Sequence, residues 1–129
     1  MVSLDIMVVD DSMVMRKIVV KTLKETGLEI GQVNEAKNGK EGLEKMKSNP
    51  PDIVFCDWNM PEMNGIDMVK AAREEFKLKD IPIVMVTTEA NIDKIKEARD
   101  AGANGYVTKP FTAEKMKEKI SQVLKRIKK

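Results

Sequence analysis

Short apolar runs recur along the chain. Ile6-Met7-Val8-Val9, Ile53-Val54-Phe55-Cys56, Ile83-Val84-Met85-Val86 and Tyr106-Val107 are continuous rather than alternating, and Asp, Thr, Pro, Gly or Lys bounds each one. Runs this short and this uniformly apolar fit strands buried on both faces of a parallel sheet. Residues 31–36 form a weaker candidate, with Val33 as their one strong β-former. Between the runs the apolar positions take a helical period. Met15, Ile18, Val19, Thr22 and Leu23 follow i, i+3, i+4, i+7, i+8, with Gly27 placed to end that helix. Gly42, Leu43 and Met46 predict a second helix, stopped by Asn49-Pro50-Pro51. Ile66, Val69, Ala72 and Phe76 predict a third, and Ile92, Ile95 and Ala98 a fourth that closes at Gly102. Met116, Ile120, Val123, Leu124 and Ile127 predict a fifth, and the lysine-rich residues 125–129 continue it, where the helix dipole favours cations.

The pattern is (βα)5. Alternating βαβ units imply an α/β fold with a five-stranded parallel sheet, right-handed crossovers and helices on both faces. No repeat, linker or low-complexity segment interrupts it, so residues 1–129 read as a single domain. The length of 129 residues, with 42% hydrophobic and 34% charged, fits one globular unit that needs no disulfide. A net charge of +2 gives no footprint for general nucleic-acid binding. One cysteine excludes an internal disulfide and every CxxC motif. The absence of histidine excludes His-based triads and His metal sites, and leaves oxygen ligands as the natural metal chemistry. No apolar run approaches the ~18 residues of a membrane span. The start MVSLDIMVVDD turns acidic too soon for a signal peptide. A soluble cytoplasmic protein is expected.

Candidate chemistry lies at the ends of the runs. Asp10 and Asp11 follow the first, Asp57 the third, Thr87 and Thr88 the fourth, and Thr108, Lys109 and Pro110 the fifth. In an open parallel sheet all strand C-termini share one edge, and ligands bind there where the strand order reverses. In a flavodoxin-like, doubly wound order 2-1-3-4-5, strands 1 and 3 are neighbours at that reversal. Asp10, Asp11 and Asp57 then converge, and Thr87 and Lys109 reach the same spot from the other side. At ~5 Å and an effective dielectric of about 20, each like-charged pair costs roughly 3 kcal/mol, so the cluster calls for a cation or a proton. Several carboxylates with water around them are the pattern of Mg²⁺. With Lys109 and the Thr87 hydroxyl, the ensemble suits a phosphoryl group, and one of the carboxylates is a candidate nucleophile. Each piece alone has a plainer reading: Asp11 or Ser12 as a helix cap, Lys109-Pro110 as a turn. The case rests on four such features falling at four different strand ends.

Four segments carry a further signal: Val8-Val9-Asp10-Asp11-Ser12, Cys56-Asp57-Trp58-Asn59-Met60-Pro61-Glu62-Met63-Asn64-Gly65, Val84-Met85-Val86-Thr87-Thr88-Glu89-Ala90, and Ala101-Gly102-Ala103-Asn104-Gly105-Tyr106-Val107-Thr108-Lys109-Pro110-Phe111. In this order and over nearly the whole chain, they resemble the receiver domains of response regulators, above all the stand-alone receivers of chemotaxis. The resemblance implies Asp57 as phosphoacceptor. It implies Mg²⁺ held by Asp11, Asp57 and the Asn59 carbonyl, with Asp10 helping through water. Thr87 and Lys109 would contact the phosphoryl oxygens, and Lys109-Pro110 would be a cis peptide. Thr87 and Tyr106 would form the switch, with the tyrosine turning inward as the threonine moves. Asn59 and Glu89 would tune hydrolysis of the acyl phosphate.

The phosphodonor would be a phosphohistidine on a CheA-like kinase, which suits a chain with no histidine of its own. The output surface would be the fourth helix, fifth strand and fifth helix. Its target would be a FliM-like flagellar switch protein or an archaeal CheF-like adaptor. The protein would act as a monomer, with self-catalysed phosphorylation and dephosphorylation rather than enzymatic turnover.

Other readings remain. A stand-alone receiver of another two-component or phosphorelay pathway would differ on the face of residues 91–102. A phosphotransferase of the haloacid-dehalogenase kind needs a second Asp two residues after the nucleophile, where this chain has Asn59. A flavodoxin-like electron carrier would find its FMN phosphate repelled by Asp10-Asp11. Met7, Met46, Met85 and Met116 fall at apolar positions and read as core packing. Cys56, inside an apolar run, reads as inert packing as well.

Overall fold

The apolar runs become five parallel strands in a computed structural model that describes residues 3–88 and 91–127, with side chains described through residue 124. In chain order the elements are β1 (Leu4–Val9), α1 (Met13–Lys24), β2 (Ile30–Ala36), α2 (Gly39–Ser48), β3 (Ile53–Asp57), α3 (Gly65–Lys70), β4 (Ile83–Thr87), α4 (Ile92–Ala101), β5 (Gly105–Thr108) and α5 (Ala113–Ile127). The sheet order is β2-β1-β3-β4-β5, all pairs parallel. This is the flavodoxin-like order expected from the alternation. The weak candidate at residues 31–36 is a real strand, and its weakness has a cause: β2 is an edge strand with Gly31, Gln32 and Glu35 exposed.

Each strand alternates between two cores. Met7, Val9, Val54, Cys56, Ile83 and Met85 face Met46, Met68, Val69 and Ala98 from α2, α3 and α4. Ile6, Val8, Ile53, Phe55, Val84 and Val86 face Val19, Leu23, Met116, Ile120 and Val123 from α1 and α5. Both faces of the sheet are therefore covered, which is why the strands read as unbroken apolar runs. Met7, Met46, Met85 and Met116 are fully buried, as their place in the pattern predicts.

The helices begin on polar caps. Ser12, Asn38, Asn64 and Asn91 accept from the amides of Met15, Glu41, Asp67 and Lys94, and Thr112 Oγ1 accepts from Lys115 N. Three details differ from the sequence pattern. α1 stops at Lys24 rather than at Gly27, which lies beyond it with φ 82°. The third helix does not run on uniformly: Ala71–Glu75 widen into a π turn, with Phe76 N donating to Ala71 O at 3.0 Å. Ile18 of α1 and Ile92 of α4, both placed by periodicity on buried stripes, are 43% and 82% exposed, and the α4 stripe reaches the core only from Ala98 onward. The extension of the last helix holds to Ile127; residues 128–129 lie outside the described residues. Among the described residues no helix is long and apolar enough to cross a membrane.

Candidate functional site

The sheet brings its acids together where β1 and β3 lie side by side. Val9 pairs with Cys56, so Asp10 and Asp57, the next residue of each chain segment, lie on the same edge. Carboxylate oxygens of Asp10, Asp11 and Asp57 all lie within 4.8 Å of one another. Asp10 is 3% exposed and Asp57 9%, whereas Asp11 faces solvent. β4 and β5 supply the other side of the cleft. Asp57 pairs with Val86, which puts Thr87 one residue further along the neighbouring strand, buried at the same edge. Lys109 N donates to Thr87 O at 2.7 Å, and the Lys109–Pro110 peptide is cis. The Lys109 ammonium lies 3.1 Å from Asp57 Oδ1 and 3.9 Å from Asp10 Oδ2.

Local structure fixes each acid. Asp10 N donates to Ala36 O at 3.0 Å, and Asp10 Oδ1 accepts from Ser12 N at 2.9 Å. Burial pushes the Asp10 carboxyl above its ordinary pKa; the Ser12 amide pulls it back, Asp57 and Asp11 push it further, and Lys109 opposes them. Asp57 is anchored from behind. Gly65 N donates to Trp58 O at 2.8 Å, and a Cβ at Gly65 would stand 2.3 Å from Asp57 O. Only glycine lets the start of α3 come this close to the turn after β3. Burial likewise drives the Cys56 thiol far above its ordinary pKa, with Asp57 and Asp10 adding to it, and the side chain packs inside the core.

The remaining candidates lie further out. Asn59 is exposed in the loop two residues past Asp57. Tyr106 pairs with Met85, two positions short of the β5 terminus, and its ring lies under the Lys119 ammonium at 5.1 Å. It borders a groove of about 350 Å³ lined by Ile95, Arg99, Lys119 and Val123, on the α4, β5 and α5 face rather than at the acids. Glu89 lies outside the described residues. Two contacts were not assigned from the sequence: Gly65 against Asp57, and Arg16 of α1, whose Nη1 donates to the Asp10 carbonyl at 2.6 Å.

The donor set fits a hard divalent cation. It offers three carboxylates and no nitrogen or sulfur ligand, and exposed Asp11 leaves one side open to water. The Lys109 ammonium, 3.1 Å from Asp57 Oδ1, adds one positive charge beside the acids.

Comparison with known proteins gives the kinship. The chain matches the response regulator receiver domain over residues 6–121. It is 46% identical to chemotaxis protein CheY1 of Helicobacter pylori, covering 92% of this chain and 95% of that one. It is 44% identical to chemotaxis protein CheY of Pseudomonas aeruginosa, covering 95% and 97%. Among solved structures, chemotaxis protein CheY4 of Vibrio cholerae superposes with a TM-score of 0.78 at 36% identity, over 98% of this chain and 99% of that one. Sequence kinship from the first strand into the last helix, together with a shared fold, shows that the chain belongs to the response regulator receiver domain family and closely resembles its chemotaxis members.

Proposed function

We propose that this chain is a phosphorylation-driven switch of chemotaxis, with Asp57 as the group that accepts the phosphoryl. The observation that carries this reading is the meeting of three carboxylates within 4.8 Å with the Lys109 ammonium seated on Asp57. Asp57 Oδ attacks the phosphorus of a phosphohistidine on a CheA-like kinase; the O–P bond forms, the P–N bond breaks, and the imidazole leaves with the electron pair. Asp10, Asp11 and Asp57, with the Asn59 carbonyl, would hold Mg²⁺, which when bound supplies positive charge to the phosphoryl oxygens. Lys109 contributes its own charge from the opposite side, and Thr87 stands at the edge of the next strand, within the same cleft.

The phosphoryl adds charge and acceptor oxygens. An arrangement with Thr87 and Lys109 drawn toward it gains free energy over one without, and the populations shift by that difference. Tyr106 lies on the same face of the sheet as Thr87 and transmits the change to the face of α4, β5 and α5. The partner there is a motor component, a FliM-like switch protein or a CheF-like adaptor. The chain works in the cytoplasm as a monomer and turns over no external substrate; Asn59 and Glu89 set the lifetime of its own acyl phosphate.

The test is a Phos-tag gel after incubation with a phosphohistidine donor or acetyl phosphate and Mg²⁺. Wild type shifts and Asp57→Asn does not. An equal shift in both removes Asp57 from the reaction.

A further inference from the structure

The acid pair is held by a residue that stands outside the charge cluster. The Asp10 carbonyl belongs to the peptide joining Asp10 to Asp11, so its direction constrains the backbone that carries both side chains. That carbonyl accepts from Arg16 Nη1 at 2.6 Å. Arg16 Nε donates to Glu35 Oε1 of β2 at 2.9 Å, and Lys45 Nζ of α2 donates to the Glu35 carbonyl at 2.5 Å. β2 also takes the Asp10 amide, through Ala36 O at 3.0 Å. The acid-bearing turn is thus fixed at its amide by β2, at its carbonyl by α1 and at the Asp10 carboxylate by the Ser12 amide.

The charge arrangement is as telling as the geometry. The Arg16 guanidinium meets Asp10 at its backbone carbonyl, and the ion pair it makes among the described residues is with Glu35 rather than with Asp10, Asp11 or Asp57. The Arg16 side chain is 14% exposed and that of Glu35 41%. A rim ion pair between solvated groups contributes little. A planar fork that spans a carbonyl and a carboxylate on two elements is a positioning device, and lysine does not reproduce it.

We propose that Arg16 is a positioning residue for the cation site, with Glu35 fixing the guanidinium that holds the Asp10 carbonyl. This rests on the reading of Asp10, Asp11 and Asp57 as a divalent-cation site. Groups one contact removed from ligands typically change metal affinity 10–100-fold when lost.

The experiment is a titration with Mg²⁺ alone, read by Trp58 fluorescence and by calorimetry, on wild type, Arg16→Met, Arg16→Lys, Glu35→Gln and Asp11→Asn, each with its urea midpoint. Arg16→Met is expected to weaken Mg²⁺ binding at least tenfold, and Arg16→Lys to leave most of that loss in place. Glu35→Gln keeps an acceptor but loses its charge; it is expected to weaken binding several-fold, and more at low salt. A lower urea midpoint with Mg²⁺ affinity unchanged in Arg16→Met, or in Glu35→Gln if the arginine variant does not fold, makes the contact structural only and overturns the proposal. Asp11→Asn separates the two levels. If it too binds as wild type, the cation site itself is wrong. If it is weakened while Arg16→Met is not, only the role of Arg16 fails.

Discussion

Replacing Lys109 by methionine keeps the hydrocarbon stem and deletes one positive charge from the cleft. With an effective dielectric of 20, the ammonium attracts Asp57 at 3.1 Å by about 5 kcal/mol and Asp10 at 3.9 Å by about 4 kcal/mol. The carboxylates, within 4.8 Å of one another, repel by at least about 3 kcal/mol per pair on the same scale. These gross terms shrink through desolvation and through the 19% exposure of Lys109, and breaking a buried pair then costs about 2–4 kcal/mol. The metal-free variant should lose that much stability at pH 7 in urea denaturation with EDTA. Two rescues follow. Saturating Mg²⁺ no longer meets an ammonium, so it should stabilise the variant more than wild type, by at least about 1 kcal/mol. Acid should narrow the deficit as well. Asp10 already has a raised folded pKa, and the loss of Lys109 removes an influence that lowers it. A carboxyl with a folded pKa above its unfolded value adds stability as pH falls through that folded value and loses it as pH rises. The variant's shortfall should therefore be smaller at pH 5 than at pH 7. Equal stability in EDTA, or equal Mg²⁺ gains in the two proteins, would refute the electrostatic reasoning.

Gly65→Ala forces a Cβ to 2.3 Å from Asp57 O and 2.6 Å from Met85 Cε; it should cost at least the ~1–3 kcal/mol of overpacking and slow phosphorylation by acetyl phosphate, so unchanged stability and rate would show that α3 does not set Asp57. Arg73, at the π turn, donates to Gly102 O at 3.1 Å, to Asn104 Oδ1 at 2.8 Å and to Leu78 O. Arg73→Met strips three acceptors of a donor and should lower stability by about 2–4 kcal/mol in urea, with phosphorylation of the folded fraction intact. Cys56 should resist Ellman's reagent until urea unfolds the chain, and fast labelling of the native protein would contradict its burial.

The architecture was legible because burial on both faces leaves strands such as Ile53–Asp57 and Ile83–Thr87 no room for polar alternation. Legibility falls at the margins. β2 has a neighbour on one side only and keeps polar residues. The π turn at Ala71–Glu75 leaves the apolar spacing of Ala72 and Phe76 nearly unchanged, so periodicity does not register it. Exposed Met13, Val14, Ile18 and Ile92 show the opposite limit, since apolar residues on a helix do not by themselves say which are covered. At the site, Asp10, Asp11, Asp57, Thr87 and Lys109 were readable because topology carries strand ends to one edge. The contacts of Arg16 and Gly65 were not, because they bridge elements whose spacing in sequence carries no record of the meeting.

The most direct test concerns which carboxylate takes the phosphoryl. Borohydride reduces an acyl phosphate of aspartate to homoserine, leaving free carboxylates untouched. After incubation with a phosphodonor and Mg²⁺, then reduction and peptide mass spectrometry, homoserine should be found at position 57 and at neither 10 nor 11. Homoserine at position 10 or 11, or none at all in a sample that shifts on a Phos-tag gel, would contradict Asp57 as the acceptor.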